Sequence, residues 1–196
     1  MWLSVWVRNN PTSVFDVNGY REIDSWRLRP IDQFFESVAF LTNNWPSLGI
    51  GLASFIAVLH RRRTKPALSL LIVGTVVEAI ALTADIALGE FVGRARPDGG
   101  SASYPSAHAF GTTAFFGFPL YLASRHGLRR AMMVPPVLCS CVLTVFSGIS
   151  RIHEDAQWPT DVIAGHLLGL AVPIVLVLAH SRISAAERTG PSRVEL

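Results

Sequence analysis

The chain has 196 residues, of which 50 % are hydrophobic and 16 % are charged, and its mean hydropathy is +0.38. This composition is too apolar for an ordinary soluble domain, so transmembrane segments are expected. The net charge of +3 does not indicate nucleic-acid binding, because the basic residues lie in short loops and form no continuous stripe. Two cysteines inside one apolar run predict buried thiols, and neither a disulfide nor a thiolate metal site.

The first predicted element is an N-terminal segment, residues 1–33, which contains three tryptophans and several arginines but no apolar run long enough to cross a membrane. Trp and Arg side chains anchor amphipathic segments at the membrane–water boundary. We therefore expect residues 1–33 to lie in that interface.

Five apolar segments follow, and each is predicted to be a transmembrane helix. Their approximate bounds are 40–59, 67–88, 107–123, 131–149 and 162–180. A helix of 22 residues such as 67–88 is about 33 Å long and crosses a hydrocarbon core of about 30 Å. The predicted fold class is all-α: an integral membrane helical bundle of about five transmembrane helices plus the N-terminal interfacial amphipathic segment.

The predicted domain organisation follows from these segments. Residues 34–181 form one membrane domain, and the polar residues 182–196 form a cytoplasmic tail that is predicted to be disordered.

The basic loops predict the orientation of the bundle. Counting crossings places 60–65, 124–130 and the C-terminal tail on one side, which the positive-inside tendency makes cytoplasmic. The connections 89–106 and 150–161 then meet on the extracytoplasmic face.

Polar residues in those two connections carry the candidate chemistry. Arg94 and Arg96 precede the third apolar segment, and Arg151 follows the fourth. The planar guanidinium of Arg binds two phosphate oxygens at once. Contact with lipid head groups is the simpler alternative.

Two helix starts supply further candidates. Ser106 is suited to cap a helix whose free N–H groups would bind a phosphate. His108 in its first turn could donate a proton to a leaving alcohol. Asp161, at the start of the fifth segment, could orient a neighbouring catalytic side chain. Helix capping alone is the alternative at both positions.

These residues resemble the three signature motifs of the type 2 phosphatidic acid phosphatase family of membrane lipid phosphatases. The family pattern is Lys, six residues, Arg-Pro; then Pro-Ser-Gly-His; then Ser-Arg, five residues, His, three residues, Asp. The resemblance covers about residues 35–181 and rests on Arg96-Pro97, Pro105-Ser106-Ala107-His108, Ser150-Arg151 and Asp161.

The resemblance implies a role for each matching position. Arg96, Ser106, Arg151 and the backbone at Ala107 would bind the phosphate. His108 would protonate the leaving group, and Asp161 would orient the nucleophile.

It also implies a substrate and a location. The substrate would be a phosphorylated lipid such as a polyprenyl phosphate, a polyprenyl diphosphate or a phosphatidate-like lipid, and no metal or cofactor would be required. The site would lie on the extracytoplasmic face of a bacterial-type plasma membrane.

Two positions depart from the family pattern. Gly89 stands at the Lys position, and Gln157 stands at the position of the nucleophilic His. A neutral amide cannot form a phosphohistidine. His153, four residues before Gln157, is a candidate replacement nucleophile, with an interface histidine as the alternative. His166 is expected to pack between helices.

Two functions therefore stay open. The first is a lipid phosphatase or phosphotransferase, in which water or an acceptor hydroxyl could attack directly. The second is a catalytically impaired family member that binds lipid phosphate or supports a protein partner or a second copy. An engineered replacement of a natural His by Gln157 is a third possibility, which would leave Gly89 unexplained. Glu78 and Asp85, in the second segment, are expected to form structural pairs.

Overall fold

The computed structural model describes residues 2–42, 76, 79–80, 83, 86–101, 103–114 and 130–189. Regular secondary structure in these ranges is helical throughout, which confirms the predicted all-α class. The helices are α1 (Trp2–Asn9), α2 (Val14–Asp24), α3 (Arg29–Thr42), α4 (86–92), α5 (107–114), α6 (Arg130–His153) and α7 (Pro159–Thr189).

The predicted membrane segments are described to different extents. Segments 131–149 and 162–180 lie within α6 and α7, whereas most of 40–59 and 67–88, with Glu78 and Asp85, lies outside the described residues. Within the described ranges, no helix combines the length and the hydropathy needed to span a bilayer. Helix α7 continues to Thr189, so the first part of the predicted disordered tail is helical.

The N-terminal helices pack against the rest of the chain. Helix α2 begins at an N-cap, where the Oγ of Ser13 accepts a hydrogen bond of 3.1 Å from the N–H of Asp16. Helix α1 buries Val7 completely against Val92 and Tyr104. Helix α3 is continuous across residue 33, the boundary predicted between the interfacial segment and the membrane domain.

Helix α3 packs on α6 through aromatic side chains. The ring centroids of Phe34 and Phe146 are 5.3 Å apart in an edge-to-face arrangement, which aromatic pairs favour. Phe35 is buried and its ring centroid lies 6.4 Å from that of Phe146. This contact brings the C-terminal end of α3 towards the start of α5.

Helices α5 and α7 approach each other closely because α7 carries glycines on the facing side. A Cβ at Gly165 would overlap the carbonyl oxygen of Ser106 and lie 3.0 Å from the Cβ of Ala109. A Cβ at Gly169 would lie 2.7 Å from the carbonyl oxygen of Phe110. Small residues four apart permit such close helix packing, and this contact sets the position of Ser106.

The two cysteines lie on α6 and correct one sequence expectation. Both Cys139 and Cys141 are exposed free thiols, so the prediction of buried thiols is wrong. Large apolar side chains next to them, Leu138 and Val142, are exposed as well. The two thiols therefore belong to an apolar outer surface of α6.

The glycine contact yields a matched pair of variants. Gly165→Ala should lower the free energy of unfolding by about 1–3 kcal/mol, because the new methyl group overlaps the backbone of Ser106. Gly111→Ala places its methyl group in open space on α5 and should leave stability unchanged or slightly higher. Thermal unfolding in detergent micelles measures both, and equal effects would contradict the packing described.

Candidate active site

The three motif segments are joined by hydrogen bonds between distant parts of the chain. The N–H of Ser106 donates to the carbonyl oxygen of Asp161 over 3.0 Å. The indole Nε1 of Trp158 donates to the carbonyl oxygen of Ala95 over 2.9 Å. These bonds hold the loop that carries Arg96, the start of α5 and the start of α7 beside one another.

Arg94 lies at the centre of a buried polar network. Its guanidinium donates to Asp161 over 2.9 Å, to Asp16 over 2.8 Å and to the hydroxyl of Thr160 over 2.8 Å. Its Nε donates to the carbonyl oxygen of Pro11 over 2.7 Å. The side chain of Arg94 is 1 % exposed, and all three of its guanidinium nitrogens donate within this network.

Asp161 has both carboxylate oxygens occupied in this network. One accepts from Arg94, and the other accepts from the backbone N–H of Trp158 over 2.9 Å. The structure therefore gives Asp161 a place in anchoring α7. Its predicted role in orienting a nucleophile stays a prediction.

Arg96 and Arg151 present unpartnered donors. The Nε atoms of both side chains are buried and have no hydrogen-bond partner in the part of the chain that the structure describes. A terminal nitrogen of Arg151 also pairs with Glu154 over 2.6 Å. Buried N–H donors without a partner are rare in folded proteins, and guanidinium donors of this kind suit a phosphate.

Gln157 lies beside Arg151. Its backbone N–H donates to the carbonyl oxygen of Arg151 over 3.1 Å, and its side chain is almost completely buried. The Oε1 of Gln157 has no hydrogen-bond partner among the described residues. The position that the family assigns to a nucleophilic His thus holds a buried, unused acceptor.

The start of α5 is built as predicted. Ser106 is fully buried, and its Oγ accepts a hydrogen bond of 3.3 Å from the N–H of Ala109. The prediction of an N-cap at Ser106 is confirmed, and Ala107 begins the helix. The first N–H groups of a helix have no partner within the helix, so a helix start of this kind suits a phosphate.

His108 is held by the end of α3, a contact that the sequence does not signal. Its Nε2 lies 3.0 Å from the Oγ1 of Thr42. Because Thr42 donates its only hydroxyl proton to the carbonyl oxygen of Val38 over 2.7 Å, it accepts from His108, whose Nε2 therefore carries a proton.

His153 lies in the contact between α6 and α3. Its Nε2 is 3.2 Å from an oxygen of Asp32, although the geometry leaves both atoms without a formal hydrogen bond. Its ring centroid is 4.8 Å from that of Phe35. A nucleophilic role for His153 stays a prediction. His166 hydrogen-bonds Thr113 over 2.8 Å, in agreement with its predicted packing role.

The turn between α6 and α7 is also held by residues that the sequence did not single out. Asp155, in the left-handed region at φ 60°, accepts from Arg27 over 2.7 Å and from the hydroxyl of Tyr20 over 2.7 Å. Burial and the hydrogen bond to Asp155 raise the pKa of Tyr20 to about 12, so this hydroxyl stays a donor. Two N-terminal side chains thereby restrain the turn next to Gln157.

Gly89 lies at the position of the motif Lys and is buried within α4. Its carbonyl oxygen accepts from the N–H of Gly93 over 2.8 Å, and Gly93 ends the helix at φ 63°, a conformation that favours glycine. The helix end is therefore formed without the cation that the family pattern places there.

Comparison with known proteins gives one family and two similar structures. A family model described as the PAP2 superfamily matches residues 66–184, while no curated protein matches significantly in sequence. The fold is similar to that of the first transmembrane PAP2 type phosphatidylglycerolphosphate phosphatase from Bacillus subtilis, with a TM-score of 0.80, 20 % identity, and coverage of 98 % of this chain and 94 % of the other. It is also similar to LpxE from Aquifex aeolicus, with a TM-score of 0.62, 18 % identity, and coverage of 85 % and 96 %.

The Arg94 network predicts a large difference between two arginine variants. Arg94→Met leaves Asp16 and Asp161 buried without a cation and should lower the free energy of unfolding by about 3–5 kcal/mol. Arg27→Met removes partly exposed ion pairs and should cost no more than about 1 kcal/mol. Denaturant unfolding in detergent micelles followed by circular dichroism measures both, and comparable losses would contradict the structural role of Arg94.

Proposed function

The chain belongs to the PAP2 superfamily, and on that basis we propose that it is a membrane-embedded lipid phosphatase or phosphotransferase. The proposed substrate is a phosphorylated lipid of the polyprenyl phosphate, polyprenyl diphosphate or phosphatidate type. The proposed reaction takes place on the extracytoplasmic face of a bacterial-type plasma membrane, requires no metal or cofactor, and leaves the C-terminus in the cytoplasm.

One observation carries this proposal: the buried, unpartnered Nε donors of Arg96 and Arg151. Arg96 belongs to the loop that Trp158 holds against the start of α7, and the carbonyl oxygen of Arg151 accepts from the N–H of Gln157, the residue before Trp158. Two cationic donors beside the free N–H groups of a helix N-terminus form a binding site for an anion with several oxygens. A phosphate group meets this requirement.

The rest of the site supports a reaction at that phosphate. His108 lies two residues after Ser106 in the first turn of α5, and its Nε2 donates to Thr42. A histidine that is protonated on both ring nitrogens can donate the second proton, on Nδ1, to the leaving lipid oxygen. Arg96 and Arg151 stabilise the negative charge that develops on the phosphoryl oxygens.

The surface of the last two long helices supports a lipid setting. Large apolar side chains are exposed along both α6 and α7. On α7 they lie three or four residues apart and so form one stripe, which comprises Ile163, Leu167, Leu170, Ile174 and Leu178. A stripe of this kind suits contact with acyl chains.

The second candidate function is lipid-phosphate binding by a catalytically impaired family member, and the residues at two positions favour it. Gly89 supplies no cation and Gln157 no imidazole, so the phosphohistidine route of the family is not open through Gln157. In this alternative the same Arg96 and Arg151 donors hold a lipid phosphate without turnover. The retained His108 favours the enzyme, because binding alone does not require a proton donor.

Phosphate release tests the two candidates directly. We expect the purified protein to release phosphate from at least one member of a panel of polyprenyl phosphates, polyprenyl diphosphates, phosphatidate and phosphatidylglycerolphosphate. His108→Ala should lower kcat by about 10²–10⁴-fold, since it removes the proton donor. Arg96→Met should raise KM and lower kcat, since it removes a phosphate contact.

The control for these variants is Arg21→Met, at an exposed position on α2, which should leave turnover unchanged. No release from any lipid in the panel, with turnover appearing only in Gln157→His, would favour the impaired member. Full activity in His108→Ala would overturn the proposed site.

A further inference from the structure

We propose that Gln157 is a catalytic residue that binds the attacking water or acceptor hydroxyl through its Oε1, so that the phosphoryl group is transferred in a single step. This inference rests on the proposed function, because it concerns the mechanism of the same site. In the family pattern, position 157 belongs to a covalent nucleophile.

The first argument is the surroundings of Gln157. Its side chain is 6 % exposed, and its backbone is bonded to the carbonyl oxygen of Arg151. The neighbouring Trp158 is bonded to Ala95, next to Arg96 in the chain. Gln157 thus lies between the two segments that supply the unpartnered Nε donors.

The second argument is the kind of atom that is left without a partner. The Oε1 of Gln157 is an acceptor. The oxygens of a fully ionised phosphate are acceptors as well. The two cannot bond to each other, so Oε1 does not serve as a phosphate ligand. It can accept a hydrogen bond from an O–H group, which is the group that a hydrolytic water or an acceptor alcohol presents.

The third argument is the placement of the other candidate groups. Both carboxylate oxygens of Asp161 bond to Arg94 and to the N–H of Trp158. The Nε2 of His153 faces Asp32 without a hydrogen bond, and its ring lies against Phe35 in the contact between α3 and α6. Buried acceptors without partners are rare; the described residues have two side-chain oxygens of this kind, the Oε1 of Gln157 and the Oδ1 of Asp32, and the latter faces His153.

The proposed step balances without a further reactant. The water oxygen forms a bond to phosphorus on the side opposite the lipid oxygen, while the bond between phosphorus and that oxygen breaks. The Gln157 Oε1 accepts a hydrogen bond from the water, whose other proton passes to a non-bridging phosphate oxygen. His108, when protonated on both ring nitrogens, donates its Nδ1 proton to the leaving lipid oxygen and regains one from the phosphate product, while its Nε2 proton stays hydrogen-bonded to Thr42.

The test follows the configuration at phosphorus in the native protein. The probe is a lipid phosphorothioate made chiral at phosphorus with oxygen isotopes, taken from whichever lipid class the panel shows to be turned over. A single displacement inverts the configuration, whereas a covalent phosphoenzyme retains it through two inversions. We expect inversion and no radiolabelled protein after acid or alkaline quenching of a turnover with ³²P-labelled lipid.

Variants at the same position complete the experiment. Gln157→Leu keeps similar bulk without the acceptor and should lower kcat by about 10²-fold, the cost of a misplaced nucleophile. The KM of Gln157→Leu and its inhibition constant for inorganic phosphate should stay close to the native values. Unchanged values would show that the phosphate site of the variant is folded. Gln157→His should yield retained configuration and a trapped phosphoprotein if it turns over.

Three outcomes overturn the inference. Retained configuration or a trapped phosphoenzyme in the native protein would show a covalent route. If the trapped phosphoenzyme were then lost in His153→Ala, His153 would be the covalent nucleophile. Full kcat in Gln157→Leu would show that the amide does not hold the nucleophile. Both results leave the proposed function intact, whereas absence of release from every lipid in the panel overturns the function as well.

Discussion

The ion pairs of Arg94 are the constraint on which the site depends. One buried guanidinium joins Asp16 of α2, Asp161 of α7 and the loop that leads to Arg96. Burying three charges is costly, and the cost is offset only when geometry and additional hydrogen bonds are good. Here the hydroxyl of Thr160 and the carbonyl oxygen of Pro11 also accept from Arg94, so its direction is tightly defined. Arg96 lies two residues further along the chain, so its position depends on the ion pairs of Arg94.

The same anchor gives the N-terminal helices their part in the site. Asp16 takes two further hydrogen bonds from Thr160, through the backbone N–H and the hydroxyl. Asp155, in the turn before α7, is held by Tyr20 and Arg27 from the same N-terminal region. The turn that carries Gln157 is therefore restrained from outside the motif segments, which suits a residue that must hold a small nucleophile in one place.

The site separates two requirements that the family pattern combines. Phosphate binding needs donors, and the unpartnered Nε atoms of Arg96 and Arg151 with the capped start of α5 supply them. Covalent chemistry needs a nucleophile, and Gln157 is not one. A binding site that keeps a proton donor, His108, and replaces the nucleophile by an acceptor favours direct attack over a phosphoenzyme.

Local features of the chain could be predicted from the sequence because they depend on neighbouring residues. The helical class, the cap at Ser106 and the motif spacing are of this kind, since helix starts and apolar runs are set by residues a few positions apart. Partners such as Arg94 with Asp16, 78 residues away, or Thr42 with His108, 66 residues away, could not be predicted. The motif spacing singled out Arg96, but it assigned no partner to Arg94, an arginine beside the same helix end. Only tertiary packing decided that Arg94 is saturated by carboxylates while Arg96 keeps a free donor, because burial and the partners it brings determine what a charge can still bind.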